Sequence, residues 1–319
     1  MEKINIEEIK DFRIGNSEYN EGVTGCTVII CEEGATAGIE VKGGAPGTRE
    51  TDLLNPVNMV DKIHGILLTG GSAFGLDAAS GVMEYLEERE IGFDVGVTKV
   101  PIVCAAALFD LAIGNYKIRP DKKLGYEACV DSEKRNIKEG NYGAGLGATI
   151  GKILGPQNSM KGGLGTYAVK IGELMIGAVV AVNALGDVFD SEENKIIAGV
   201  LDSEKKNLLN TESIMVSKYD DKTNLFNGNT TIGAIITNGK LTKSEANKVA
   251  SMAHNGFARS IRPVHTMFDG DTIFTMASGK IIVDVNTIGM ISANIMEKAV
   301  VNAIKNAESI CGINSFANL

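Results

Sequence analysis

With 319 residues, 44% hydrophobic and 22% charged, the chain has enough apolar content for one large core or two smaller ones, which excludes a disordered or fibrous polymer. A formal net charge of −9 leaves no basic surplus to displace counterions from phosphates, so a nucleic-acid partner is not expected. No run reaches the roughly 18 apolar residues of a membrane span, and the acidic start MEKINIEEIK has no apolar secretion segment, so the expectation is a cytoplasmic protein with no membrane partner.

In chain order, GCTVIICEEG and ATAGIEVKGG read as two strands of a hairpin about an EEG turn. After the loop APGTRETDLLNP, HGILLTGGSAFGLDAASGVMEYLEERE reads as strand, glycine turn and helix, with Leu76, Ala79, Met83 and Leu86 on one face. The next stretch, KVPIVCAAALFDLAIG to PDKKLGYEACVDSEKR, passes from apolar to helical, with Pro120 in the first helical turn. From NYGAGLGATIGKILG to AVVAVNALGDVFD, glycine turns alternate with β-branched runs, predicting adjoining strands, with Asn183 at the end of the last run.

Residues 202–229 are charged, rich in Asn and aperiodic, and read as a loop. They lead into a strand over Thr230–Thr237 and a helix opened by the capping box Thr242-x-x-Glu245, with Ala246, Val249, Ala250, Ala253 and Phe257 on one face. Two short strands, TIFTMAS and KIIVDV, precede a C-terminal helix that carries Ile288, Ile291, Ile295 and Ala299 along one side. Helices with a single apolar stripe beside so many strands predict layered α+β packing. The odd set Cys26, Cys31, Cys104, Cys129 and Cys311, with no C-x-x-C, reads as reduced core residues rather than a zinc site.

Four stretches offer chemistry. GGSAFG, Gly70 to Gly75, lies between strand and helix, where backbone N–H groups hold anions; Gly71, Ser72 and Phe74 are its pocket candidates. It lacks the G-K-[ST] of a P-loop, the second glycine of G-x-G-x-x-G and the last glycine of G-x-S-x-G, and a tight βα turn explains it equally. Lys152 is a cation in glycine-rich, apolar surroundings, where most lysines extend their ammonium to water. In HTMFDGDTIF, Asp269 and Asp271 flank Gly270: a turn with solvated acids, a metal held with His265, or two carboxylates orienting an amine or hydroxyl.

The fourth stretch is NGNTTIGAIITNG. Asn227-Gly228 is a hairpin-turn signal, and Asn229-Thr230-Thr231 matches the glycosylation sequon. An internal Thr hydroxyl is a poor nucleophile. If the chain is cut before Thr230, the new α-amine, with a reference pKa of about 7.7–8.0, becomes the base that activates it.

Taken with GVTGCTVI, LLTGGSAFGLDAA, PDKKLG, GAGLGATIGK, KGGLGT and HTMFDGDTIF, the GNTT junction resembles the DmpA-like self-processing peptidases, which include L-aminopeptidase/D-esterases, β-aminopeptidases and the nylon-oligomer hydrolases. The resemblance implies a single-domain four-layer αββα sandwich related to N-terminal-nucleophile hydrolases and ornithine acetyltransferases. It further implies a precursor cut between Asn229 and Thr230, giving associated chains 1–229 and 230–319. Thr230 would be the nucleophile, and Asn183 the donor to the oxyanion. Lys152 would tune the hydroxyl, and Asp269 and Asp271 would orient the threonine and its ammonium. Short peptides or small amides are the implied substrates, with no metal or organic cofactor and a homo-oligomer, by analogy a tetramer. One position departs: characterised relatives carry a tyrosine where this chain has Phe74. Acyl transfer to an amine and an uncleaved, non-catalytic member of the fold remain as alternatives.

Overall fold

Alternate residues of a strand face opposite ways, and the long strands of this chain are apolar on both faces, so each must be covered twice. A computed structural model describing residues 1–220 and 228–319 meets that requirement. Its main sheet contains β1 (Glu2–Ile4), β2 (Arg13–Tyr19), β3 (Thr24–Val41), β4 (Thr48–Arg49), β5 (Lys62–Thr69), β6 (Val103–Ala107), β7 (Gly163–Ile171), β8 (Leu174–Val182), β9 (Ile232–Lys240) and β10 (Thr272–Ile282). The hydrogen-bonded order is β1-β7-β8-β9-β10-β3-β5-β6-β4, with β2 also paired to β3. The long helices are α1 (Ala78–Glu87), α2 (Lys122–Ser132), α3 (Lys243–Ser260) and α4 (Val285–Lys305).

β3 joins two halves of the sheet: Thr24–Ile30 pairs with β2 and part of β5, while Thr36–Val41 pairs with β10. The halves face each other through Ile29, Ile66, Leu68, Cys104 and Ala106 on one side and Val179, Ile232, Ile236, Phe274 and Met276 on the other. The opposite faces bury against helices. Val28, Ile30, Leu67 and Val103 pack on α1 and α2, and Ile176, Ala178, Val180 and Val182 pack on α3 and α4. The result is the expected αββα order of layers.

Local detail departs from expectation in instructive places. GCTVIICEEG and ATAGIEVKGG form one strand rather than a hairpin, because a bulge between Ile30 and Ala35, with Gly34 at φ 73°, absorbs the EEG segment without reversing the chain. TIFTMAS and KIIVDV are likewise joined in β10, which continues through Gly279 at φ 86°. Pro120 precedes α2, and Asp121 caps it by accepting the Leu124 amide at 3.0 Å. Within 202–229, Thr211–Ser217 is helical, capped by Asn210. Asn227 lies outside the described residues, and both edges of β9 are occupied, by β8 and β10. Four cysteines are buried and Cys311 is exposed. Among the described residues no helix is long and apolar enough to cross a membrane.

α1 and α2 approach closely because each offers a glycine at the crossing. A Cβ at Gly81 would lie 1.8 Å from the Lys122 carbonyl oxygen, and one at Gly125 would lie 1.9 Å from that of Ala78. Gly81→Ala or Gly125→Ala should therefore force the helices apart and lower stability by about 1–3 kcal/mol, despite alanine's better helix propensity. Urea unfolding of each variant measures this, and unchanged or raised stability would contradict the close crossing.

Candidate functional site

Strand register assembles the site. β9 runs antiparallel to β8 with Ala181 opposite Ile232, so just beyond the pairing Asn183 stands across from Thr230, whose N–H donates to the Asn183 carbonyl at 2.8 Å. β9 runs parallel to β10 with Ile232 opposite Thr272, which sets the preceding residues side by side: Asn229 bridges Asp269, and the Gly270 N–H donates to the Asn229 carbonyl at 3.0 Å. Gly270 is required there, because a Cβ would come within 2.7 Å of the Thr230 hydroxyl oxygen. Three segments distant in sequence thus meet at one peptide bond.

Thr230 is only 5% exposed, and its hydroxyl hydrogen-bonds the carbonyl oxygen of Asn229, the group on the other side of that peptide bond. Lys152 is buried rather than extended to water. Its Nζ donates to Asn183 Oδ1 at 2.8 Å, to the Asn183 carbonyl at 3.3 Å and to the Gly228 carbonyl at 3.2 Å. These acceptors among the described residues suit the N–H donors of an ammonium. Burial nevertheless pushes the Lys152 pKa down to about 7, against the opposing pull of Asp269 and Asp110. The Asn183 amide is fixed from both ends: Oδ1 also accepts the Thr149 N–H at 3.0 Å, and Nδ2 donates to the Phe109 carbonyl at 3.0 Å.

The two acids of D-G-D are buried, so they are not a solvated turn. Asp271 Oδ1 accepts the Thr231 N–H at 2.9 Å, and its Oδ2 lies 2.8 Å from His265 Nδ1. Asp269 Oδ2 accepts the N–H and hydroxyl of Thr266 at 2.9 and 2.6 Å. Burial, and then the neighbouring Asp271 charge, raise the Asp269 pKa to about 6. Asp271 therefore braces the backbone beside Thr230 and Asp269 braces Thr266, and neither carboxylate hydrogen-bonds Thr230 among the described residues. Nor do any three His, Cys, Asp or Glu side chains among them converge to hold a metal.

A cavity of about 120 Å³ opens on Asn229 and Thr230, walled by Pro46, Ser72, Ala73, Phe109 and Phe268 among others. Of the glycine-turn candidates, Ser72 lines it. Gly71 instead donates its N–H to the Asp110 carboxylate at 2.7 Å, so the anion held by this turn is the protein's own. Phe74 is 59% exposed under the Arg119 guanidinium, 3.9 Å from its ring centre, and does not line the cavity. Phe109 and Asp110 carry no mark in the sequence beyond ordinary apolar and turn composition, while Phe268 lies in HTMFDGDTIF and Ala45–Gly47 in the loop APGTRETDLLNP with no local sign that they wall a site. A larger groove, about 1090 Å³, runs along α1 and α2 between solvated charges such as Glu84, Lys122 and Asp131. It contains none of the Thr230 cluster, so its size alone gives it no chemical claim.

Comparison with known proteins defines the class. The model of peptidase family S58 matches residues 5–317, and the chain belongs to that family. An uncharacterized aminopeptidase of Mycobacterium leprae (strain TN) is 35% identical, over 92% of this chain and 86% of its own. The 6-aminohexanoate-oligomer endohydrolase of Kocuria sp. (strain KY2) is 30% identical, over 92% and 83%. Among solved structures, the L-aminopeptidase D-Ala-esterase/amidase of Ochrobactrum anthropi, described as a variant of the Ntn-hydrolase fold, superposes with a TM-score of 0.71 at 18% identity, over 96% of this chain and 87% of that one. A β-aminopeptidase from Burkholderia sp. gives 0.68 at 18% identity, over 98% and 91%. The fold is thus that of the Ntn-type aminopeptidases, and the chain is a hydrolase acting on amide bonds.

The buried cations make stability depend on pH. Lys152 and Lys161 both have pKa values lowered by burial from 10.5 to about 7. Between these values the unfolded chain holds more protons than the folded one, so stability rises with pH across that window. The buried thiols of Cys26, Cys31, Cys104 and Cys129, whose pKa values burial raises above the ordinary 9.0, oppose the trend once unfolded cysteines ionise. The melting temperature should therefore climb from about pH 7 to about pH 8.5. A calorimetric series that falls over this interval would refute the assignment.

Proposed function

We propose that the chain cuts itself between Asn229 and Thr230, and that Thr230 then acts as the N-terminal nucleophile of an aminopeptidase-like hydrolase of short peptides or small amides. One observation carries the reading: the Thr230 hydroxyl is in contact with the Asn229 carbonyl, which also receives the Gly270 N–H at 3.0 Å. A nucleophile and a donor to the developing oxyanion thus stand at the same peptide bond.

In processing, Thr230 Oγ1 bonds to the Asn229 carbonyl carbon, the bond to the Thr230 nitrogen breaks, and that nitrogen takes up the hydroxyl proton. Water then hydrolyses the ester, leaving a carboxylate on Asn229, the hydroxyl on Thr230 and a free α-amine. The products are residues 1–229 and 230–319, associated through the shared sheet. The Asn183 carbonyl, already 2.8 Å from the Thr230 nitrogen, anchors the new amine, which serves as base when Oγ1 attacks a substrate carbonyl. An acyl-enzyme forms, the substrate amine leaves with a proton, and water releases the acid.

Within this scheme Asn183 is the oxyanion donor in turnover. Lys152 holds its amide and places positive charge beside the junction, and Asp269 and Asp271 keep the β9–β10 entry in shape. With Phe74 outside the cavity, oxyanion stabilisation relies on Asn183 and backbone N–H groups. The aminopeptidase and 6-aminohexanoate-oligomer hydrolase relatives suggest the substrate class. By resemblance to the DmpA-like peptidases the enzyme is a homo-oligomer, a tetramer, that needs no metal or organic cofactor, and a cytoplasmic location is proposed with it.

Intact-mass measurement on purified protein tests the scheme. Wild type should resolve into two chains, the second beginning at Thr230, while Thr230→Ala should remain one chain and lose turnover of small amide substrates by at least about 10³-fold. A wild-type chain that stays whole after long incubation would support the uncleaved, non-catalytic alternative. Product formation that requires an added amine acceptor would instead favour acyl transfer.

A further inference from the structure

Asp110 is a buried carboxylate that the mechanism above does not use. It is 3% exposed, and its hydrogen-bond partners are neutral: the Gly71 N–H at 2.7 Å on Oδ1 and the Thr24 hydroxyl at 2.6 Å on Oδ2. The surrounding chain is fitted to it. A Cβ on Gly70 would come within 2.1 Å of Oδ2, and one on Gly147 within 2.7 Å of its own Cβ. Burying a carboxylate is costly, and here the neighbouring cations, Lys152 and Lys161, act on it through space rather than by direct pairing.

What this carboxylate holds explains its presence. The Leu108 N–H donates to the Thr69 carbonyl at 2.8 Å and the Ser72 N–H to the Leu108 carbonyl at 2.9 Å, so Leu108–Asp110 is fastened along the glycine turn, with Asp110 as the last tie. Between these ties, Phe109 reaches two parts of the site. Its carbonyl accepts Asn183 Nδ2 at 3.0 Å, and its ring occupies the space a Cβ on Gly228 would need, at 2.2 Å. The other end of the Asn183 amide is held by Thr149, in the glycine-rich segment whose Gly145 and Ala148 carbonyls accept Lys161 Nζ at 2.8 and 2.9 Å.

We propose that Asp110 is a positioning residue: by tying Phe109 to the Gly70–Ser72 turn and to Thr24, it sets the direction of the Asn183 amide and the wall of the cavity at Thr230. The effect on rate rests on the reading of Thr230 as nucleophile; the effect on geometry does not.

The test combines kinetics and crystallography. Asp110→Ala should lower kcat on the order of 10- to 100-fold, with KM changed by less than about threefold, and should slow precursor processing. Asp110→Asn can still accept the Gly71 N–H and can donate to the Thr24 hydroxyl, so it should recover kcat to within about fivefold of wild type. If Asp110→Ala fails to fold, Thr24→Val, which removes one tie, should lower kcat several-fold at unchanged KM. A crystal structure of Asp110→Ala in the Thr230→Ala background should show the Asn183–Phe109 contact broken. An intact contact, or Asn and Ala substitutions equally impaired in kcat, would overturn the proposal. Turnover that survives Thr230→Ala alone would overturn the nucleophile assignment instead, while the crystallographic result would still decide the role of Asp110.

Discussion

The site depends on the register of β9, held antiparallel to β8 on one edge and parallel to β10 on the other. A strand with both edges paired cannot slip by one residue without turning its buried side chains to the wrong layer. Here one face of β9 lies between the sheet halves through Ile232, Ala234 and Ile236, while Ile235 packs toward α3 and α4. Core packing therefore sets the position of Thr230 to within one residue. The backbone partners at the junction, the Asn183 carbonyl and the Gly270 N–H, follow from that register.

The same architecture concentrates charge where water is excluded. Lys152, Asp110, Asp269 and Asp271 are all buried, and Lys161 lies nearby with its ammonium on the carbonyls of Gly145, Ala148 and Gly162. In such surroundings a hydrogen bond to an ionised group is stronger than at the surface, and an unpaired one costs more. Lys152 holds the Asn183 amide and Asp271 the Thr231 backbone, so under the proposed reading the Thr230 hydroxyl would need little rearrangement before it reacts. Preorganisation of this kind is the usual source of transition-state stabilisation in acyl transfer.

Glycine serves the same end. Gly270 lets one backbone lie against the Thr230 hydroxyl, while Gly70 and Gly147 close around the Asp110 carboxylate. The high glycine content of the chain, 38 residues, thus reflects close approach of backbones as much as tight turns.

Much of this was legible in the chain itself. The stripes Ala246–Phe257 and Ile288–Ala299 identified two helices and their buried faces, because a period of 3.6 is a local property. Motif blocks pointed to the peptidase family and to the Asn229–Thr230 junction, since the residue types at that bond are written consecutively. Glu32–Gly34 misled, because a bulge and a hairpin turn use the same residues and only the partner strand distinguishes them. The burial of Lys152 and of the D-G-D acids was also hidden, as side chains of these types are usually solvated and only layers supplied by distant segments enclose them. Asp110 carried no local signal at all, for its partners Thr24 and Gly71 lie 86 and 39 residues away. The sequence by itself determined the two C-terminal helices with their buried faces and the family resemblance, and it singled out the Asn229–Thr230 bond for the proposed reading. Which carboxylates and cations surround that bond was decided only when β8, β9 and β10 aligned their ends, because contacts between segments far apart in the chain exist only through packing.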